Sequence, residues 1–143
     1  MKFVAENESD FTTKIFKAIE PSLKPGFVLG LVGDLGAGKT TLVKAIVKKL
    51  HCTATVSSPT FVYMKEYPVV GKDGIKSIRH IDLYRLSGSA TENLNEIMEW
   101  LEGGDSIVIV EWAQLLSRDD LFDAIISIKL LGNNKREVSI KWK

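Results

Sequence analysis

Residues 33–40, Gly-Asp-Leu-Gly-Ala-Gly-Lys-Thr, match the phosphate-binding loop pattern of Gly, four free positions, Gly, Lys and then Ser or Thr. A polyphosphate needs many donors close together, and backbone amides supply them only where no side chain blocks their approach. The glycines of this stretch give that freedom, and the start of a following helix adds a site for an anion. We therefore predict nucleotide contacts from a set of loop residues: Asp34, Gly36, Ala37, Gly38, Lys39, Thr40 and Thr41.

The sequence on either side of this loop predicts a strand before it and a helix after it. Residues 27–32 form a short apolar run, as in a buried parallel strand. After the loop, apolar residues recur every three or four positions, as on one face of a helix: Leu42, Val43, Ile46, Val47 and Leu50. In this context Lys39 is expected to reach the β- and γ-phosphates, and the Thr40 hydroxyl to ligate Mg²⁺.

Length and composition indicate one domain, residues 1–143. The chain has 143 residues, 45% of them hydrophobic, which suffices for one core. Lys and Arg number 19 against 18 Asp and Glu, so charge gives no reason to expect unaided nucleic-acid binding, and a tRNA role would need partners. Cys52 is the single cysteine and is expected to be a free structural thiol. An early acidic N-terminus and the lack of a long apolar run favour a cytoplasmic protein without a membrane segment.

Hydrophobic periodicity predicts further elements around the loop. Ser9 or Asp10 is expected to cap a first helix, and Thr91 a later helix that buries Leu94, Ile97, Met98 and Leu101. Residues 61–67 and 76–83 are predicted to form an antiparallel hairpin. The other expected strands are 2–5, 107–112, 124–131 and 137–142.

An acidic residue ends one predicted strand. Residues 107–110 are four β-formers and Glu111 follows them, as in a Walker B strand that delivers a carboxylate to the ligand-binding edge of an open α/β sheet. We predict that Glu111 is a metal ligand. Residues 134–137, Asn-Lys-Arg-Glu, approach a guanine-reading pattern, but they lie in a predicted hairpin turn, so ATP is expected rather than GTP.

Two polar segments leave alternatives open. His80 to Leu86 places several reactive side chains near a strand end, but the same pattern fits a strand whose polar residues face water. Lys44, Lys48 and Lys49 share the polar side of the helix after the loop; a solvated face is favoured over a docking surface for RNA or an acidic partner.

Four motifs occur together in one order: the loop, residues 58–61 (Ser-Pro-Thr-Phe), residues 80–86 and the pair Glu111-Trp112. This combination resembles the TsaE family, small bacterial ATPases needed to make threonylcarbamoyladenosine on tRNA. The resemblance implies an α/β fold of the P-loop NTPase type, with a mostly parallel central sheet flanked by helices and an antiparallel hairpin insertion. It also implies that ATP hydrolysis acts on a complex of TsaB and TsaD, and that tRNA is met only through that complex.

The resemblance also assigns roles to individual residues. Lys39, Asp82 and Glu111 would be catalytic, with Asp82 positioning or deprotonating the attacking water. Thr40 and Glu111 would hold Mg²⁺, and Thr60 would lie in a switch loop that senses the γ-phosphate. Arg85 is expected either to stabilise transition-state charge or to face a partner, and Trp112 has no assigned role.

Two other functions fit the same loop. A small-molecule kinase would use it to bind ATP. Such enzymes commonly clamp phosphates with several arginines, and the small number of arginines in this chain, four, counts against a kinase. A nucleotide-gated binding module with little turnover differs from an ATPase only in its rate.

Overall fold

The computed structural model describes residues 1–51, 64–84 and 94–143. The described chain contains seven strands and three α-helices, with short 3₁₀ turns between some of them. The elements are β1 (Lys2–Ala5), α1 (Glu8–Ile19), β2 (Val28–Gly33), α2 (Lys39–Lys49), β3 (Met64–Lys72), β4 (Ile75–Asp82), α3 (Leu94–Leu101), β5 (Ser106–Glu111), β6 (Ala124–Gly132) and β7 (Lys135–Trp142).

The strands form one mixed sheet in the order β1-β7-β6-β2-β5-β4-β3. Its four inner strands, β6, β2, β5 and β4, are parallel to their neighbours in this group. The pairs β1–β7, β6–β7 and β3–β4 are antiparallel and lie at the two flanks. The predicted parallel strands are therefore the centre of the sheet, and the predicted hairpin extends one edge of it.

Alternation along the strands places one apolar layer on each face of the sheet. Ile107 and Ile109 belong to a core shared with α1 and α2. Val108 and Val110 face the other way, into a second core with Ile97 of α3. Because strand side chains alternate between faces, a run of four β-formers covers both sides. Ala37 of the loop before α2 belongs to the core shared with α1 and α2.

The first helix begins earlier than predicted. Its N-cap is Asn7, whose side-chain oxygen accepts from the Asp10 amide at 2.9 Å. Asp10 lies in the first turn, where its carboxylate accepts from the amide of Glu6 at 2.9 Å. The prediction of Ser9 or Asp10 as the cap was wrong because Asp10 completes a reciprocal capping arrangement from inside the helix.

The helix α3 buries less of the predicted stripe than expected. Ile97 and Leu101 are buried, and Met98 packs against the same core, but Leu94 is exposed. Leu94 is the first described residue of the helix, so it lies at the edge of the contact with the sheet. Thr91, the predicted cap, lies outside the described residues, as do Cys52 and residues 61–63 of the predicted first hairpin strand.

The chain turns between β6 and β7 at two asparagines. Asn133 and Asn134 have φ of 51° and 62°, the left-handed conformation that tight hairpins need and that asparagine tolerates. The Asn-Lys-Arg-Glu stretch is therefore part of a hairpin, as predicted. In the described part of the chain, the helices are too short or too polar to span a bilayer.

Candidate functional site

The glycine-rich loop connects β2, at the centre of the sheet, to the start of α2. Gly36 and Gly38 have φ of 78° and 113°, a region that other residues seldom adopt. Gly38 is the N-cap of α2 and brings no side chain to the helix start. The first-turn amides and the positive end of the helix dipole therefore face the space above the loop, where an anion is favoured.

Lys39 lies across this loop and is 5% exposed. Its ammonium donates to the carbonyl oxygens of Gly33 at 2.5 Å and Asp34 at 2.8 Å. The ring of Trp112 lies 4.4 Å from the same nitrogen. Burial lowers the pKa of Lys39, and the nearby carboxylates, Glu111 first, oppose that shift. The loop thus holds a cation at its centre.

Two carboxylates meet at the carboxyl ends of neighbouring parallel strands. Asp82 of β4 is the register partner of Glu111 of β5, and Glu111 in turn is the partner of Leu31 of β2. The loop begins two residues after Leu31, so the pairing alone brings both acids to it. Glu111 is 3% exposed, and the Thr40 hydroxyl donates to its two oxygens at 3.1 and 3.2 Å.

The environment of Asp82 raises the pKa of its carboxyl above the ordinary value for aspartate. Burial raises the pKa of Asp82, and the negative charge of Glu111 adds to that effect. The amide of Tyr84 donates to its Oδ1 at 3.0 Å and opposes the shift. A carboxylate in this position accepts a proton more readily than an aspartate in water.

Thr40 and Glu111 form a suitable oxygen pair for Mg²⁺. Phosphate-binding loops hold this ion with the loop Ser or Thr and an acid from a neighbouring strand, while phosphates and water fill the other positions. Among the described residues, no group of three or more His, Cys, Asp or Glu side chains is arranged to hold a metal ion. A bound ion would therefore take most of its oxygen ligands from phosphate and water.

These residues line one cleft of about 240 Å³. Of the predicted nucleotide contacts, Gly36, Gly38, Lys39, Thr40 and Thr41 line it, together with both acids. Asp34 is exposed, and Ala37 is buried beneath the loop, with its amide bonded to the Asp34 carbonyl at 3.0 Å. Thr60 and Arg85 lie outside the described residues, so their predicted roles stay predictions.

Aromatic side chains form one wall of the cleft. Trp112 follows Glu111 directly and adopts a left-handed φ of 60°. Its ring lies 4.9 Å from that of Tyr84, which is 44% exposed. The unusual backbone conformation of Trp112 turns the chain at the end of β5, and its ring then covers Lys39.

Two residues without a predicted role also reach this site. His80 is fully buried on β4, and its Nε2 hydrogen-bonds to the Glu111 carboxylate. Arg136 of β7 donates from Nε to the Ala37 carbonyl at 3.1 Å, and its guanidinium lies 4.9 Å from the Phe11 ring centroid. The alternation of side chains along β4 does place His80 on the same face as Asp82. The sequence around Arg136, in contrast, does not indicate that this residue lies near the loop.

Comparisons with known proteins identify similar chains. Residues 6–139 match a family model described as threonylcarbamoyl adenosine biosynthesis protein TsaE. A tRNA threonylcarbamoyladenosine biosynthesis protein TsaE of Bacillus subtilis is 38% identical over 90% of this chain and 77% of its own length. One of the same description from Aquifex aeolicus is 40% identical over 98% of this chain and 95% of its own. The crystal structure of YdiB from B. subtilis superposes with a TM-score of 0.72 at 32% identity, covering 99% of this chain and 84% of that one.

Proposed function

Because this chain belongs to the TsaE family of tRNA threonylcarbamoyladenosine biosynthesis proteins, we propose that it is a Mg²⁺-dependent ATPase of that pathway. Residues 1–143 would form a single ATPase domain with the P-loop NTPase fold. The observation that carries the proposal is the convergence of Lys39, Thr40, Asp82 and Glu111 on one cleft at the carboxyl edge of the parallel strands. Ligands of open α/β sheets bind at this edge.

Lys39 would bind the β- and γ-phosphates. Its ammonium already lies within the loop, bonded to two backbone carbonyls. Phosphate oxygens would replace these carbonyls as acceptors, with the amides of the first α2 turn as further donors. Binding therefore needs a small shift of one side chain and little change in the loop.

Thr40 and Glu111 would hold Mg²⁺ between the helix start and the end of β5. The ion supplies charge neutralisation at the β- and γ-phosphates when it is bound. Glu111 is positioned for this by its strand, whose buried side chains fix the backbone up to the last residue. Thr40 is fixed by the first turn of α2.

Asp82 would orient the attacking water and accept its proton. Its raised pKa, caused first by burial, suits a proton acceptor better than that of an ordinary aspartate. Phosphoryl transfer depends mainly on positioning and charge stabilisation. A lysine, two residues that hold one Mg²⁺ and one acid therefore form a sufficient set. Thr60 would complete the site as the γ-phosphate sensor.

The partners in this proposal are TsaB and TsaD, with tRNA reached through their complex in the cytoplasm. The near balance of 19 basic and 18 acidic residues supports an indirect rather than a direct tRNA contact. The exposed Tyr84 and Leu35 at the cleft suit a site that a protein partner covers.

The contacts of the described arginines weigh against a small-molecule kinase. Arg79 bonds to the carbonyls of Trp100 and Glu102, at 3.2 Å each. Arg118 pairs with Asp120 at 2.7 Å. Of the arginines in the described part of the chain, only Arg136 lines the cleft.

The test is ATP hydrolysis by the purified chain, alone and with TsaB, TsaD and tRNA. We expect slow turnover that requires Mg²⁺ and rises when the partners are added. Lys39→Ala should abolish it, whereas Lys48→Ala, the same change at an exposed position of the same helix, should not. Turnover that does not change when the partners are added, or ADP formation that depends on a small phosphoryl acceptor, would contradict the proposal.

A further inference from the structure

We propose that His80 is a positioning residue that fixes the Glu111 carboxylate in the orientation needed to bind Mg²⁺. This inference rests on the proposed function, because it assigns the metal to Thr40 and Glu111. His80 would not touch the nucleotide or the metal. It would act from behind Glu111, on the side away from the cleft, whose lining includes Glu111 and not His80.

The contacts of Glu111 show why a second donor matters. The Thr40 hydroxyl lies 3.1 Å from one carboxylate oxygen and 3.2 Å from the other, so it barely distinguishes them. His80 Nε2 bonds to Oε2 alone. Because a carboxylate accepts, the ring must carry its proton on Nε2. This bond engages Oε2 from β4 and would leave Oε1 for a metal ion beside Thr40.

His80 places a polar ring in a buried layer of the sheet. It is 0% exposed, and Ile78, two residues earlier on the same face, is equally buried. An apolar side chain would suit this layer, since a buried polar group costs free energy unless it is hydrogen-bonded. Among the described residues, Nδ1 of His80 has no hydrogen-bond partner. The imidazole ring also lies 6.4 Å from the ring of Tyr67, but that contact does not need a nitrogen donor. The hydrogen bond to Glu111 does need one, and an isoleucine would not supply it.

Two amide variants separate the bond from the polarity of the side chain. In His80→Gln the amide nitrogen lies as many bonds from the backbone as Nε2 of histidine, so it can still donate to Glu111. In His80→Asn the amide is one bond shorter and falls short. Ser77→Ala is the matched control, because Ser77 is buried on the same strand and bonds to Glu66 and Ser106 instead.

The measurement is ADP affinity, first in EDTA and then over a series of Mg²⁺ concentrations. We expect all variants to bind ADP like wild type in EDTA. His80→Asn should need about 10–100-fold more Mg²⁺ for its half-maximal effect, while His80→Gln stays near wild type. Ser77→Ala should lower thermal stability and leave the Mg²⁺ requirement unchanged.

Three outcomes would overturn the inference. The first is an unchanged Mg²⁺ requirement in His80→Asn. The second is a Mg²⁺ requirement in Ser77→Ala that rises as much as in His80→Asn, and the third is an equal rise in His80→Gln. If wild type itself binds ADP without any Mg²⁺ effect, the proposed function fails and this inference with it. If wild type responds to Mg²⁺ and His80→Asn responds equally, the inference alone fails.

A measurement on unmodified protein covers the case in which a variant does not fold. The chain has two histidines, His51 and His80, and His51 is exposed. In a ¹H–¹⁵N spectrum of the imidazoles, His80 should carry its proton on Nε2. Its signals should move when Mg²⁺ is added to the ADP complex, while those of His51 stay in place. An unprotonated Nε2, or no movement, would overturn the inference.

Discussion

Replacement of Asp82 by asparagine removes one charge from the carboxyl edge of the sheet and keeps the side-chain shape. The amide of Tyr84 donates to Asp82 Oδ1 at 3.0 Å, and an asparagine oxygen can accept the same bond. The change therefore isolates the charge, which burial and Glu111 both disfavour. We expect Asp82→Asn to stabilise the protein and to reduce turnover.

The gain in stability follows from the direction of the pKa shift. The pKa of Asp82 is raised in the folded protein, so the folded state binds a proton more tightly than the unfolded chain. The free energy of unfolding then falls as pH rises from the ordinary aspartate pKa through the raised one, and it stays lower above that window. At neutral pH, Asp82→Asn should recover about 0.5–2 kcal/mol, or about 2–4 °C in Tm for each kcal/mol.

The loss of turnover follows from the proposed role in proton transfer. A positioned general base contributes about 10²–10⁴-fold, so hydrolysis should fall by a factor in that range. ATP affinity should be retained, because the phosphate contacts are assigned to the loop, Lys39 and Thr40.

Chemical denaturation across a pH series measures the first effect, and single-turnover hydrolysis the second. Asp105→Asn is the control, because Asp105 is an exposed carboxylate. The free energy of unfolding of this variant should differ from that of wild type by less than about 0.5 kcal/mol. A variant of Asp82 that is less stable than wild type at neutral pH would refute the electrostatic reasoning. An equal loss of ATP affinity and turnover would refute the catalytic role.

Three further changes test other parts of the site and fold. Gly33→Ala should destabilise by about 1–3 kcal/mol and weaken ATP binding, because the new Cβ would lie 2.8 Å from the Ile128 carbonyl; calorimetry that shows no loss would contradict this. Asn7→Ala should cost about 0.5–2 kcal/mol with turnover unchanged, since the cap at α1 is lost; urea unfolding measures it, and Ser9→Ala should have a smaller effect. Lys39→Ala should abolish ATP binding in equilibrium titration while the protein stays folded by circular dichroism, and retained affinity would remove Lys39 from the phosphate site.

Local periodicity predicted most helices and strands, because each depends on neighbours along the chain. The run of β-formers in β5 and the spacing of apolar residues in α2 were sufficient to identify both elements. Local rules did not distinguish between competing N-cap residues, so Asn7 was missed. Asp10 lies inside the helix, where its carboxylate accepts from the Glu6 amide. The exposure of Leu94 depends on where α3 meets the sheet, which its own sequence does not specify.

The placement of the two acids was predictable to the extent that strand ends specify it. Glu111 was expected at this edge because a buried strand ends there, and Asp82 through the resemblance; both line the cleft, and their roles stay predictions. Their contact follows from the parallel pairing of β4 and β5. The bond between His80 and Glu111 joins residues 31 positions apart, and that between Arg136 and Ala37 joins residues 99 apart. Such contacts depend on strand order, which no single stretch of sequence encodes.

The order of strands in the sheet also affects how the protein is made. The loop-bearing strand β2 pairs with β5 and β6, so neither neighbour exists until the ribosome has passed residue 106. The strand β1 pairs with β7, joining residues 2–5 to residues 136–139. Contacts this far apart in sequence slow folding, because a long loop must close before they form. A nascent chain that stops before β6 leaves an open edge on β2, and the cleft gains its last lining residue, Arg136 of β7, only when synthesis of the sheet is nearly complete.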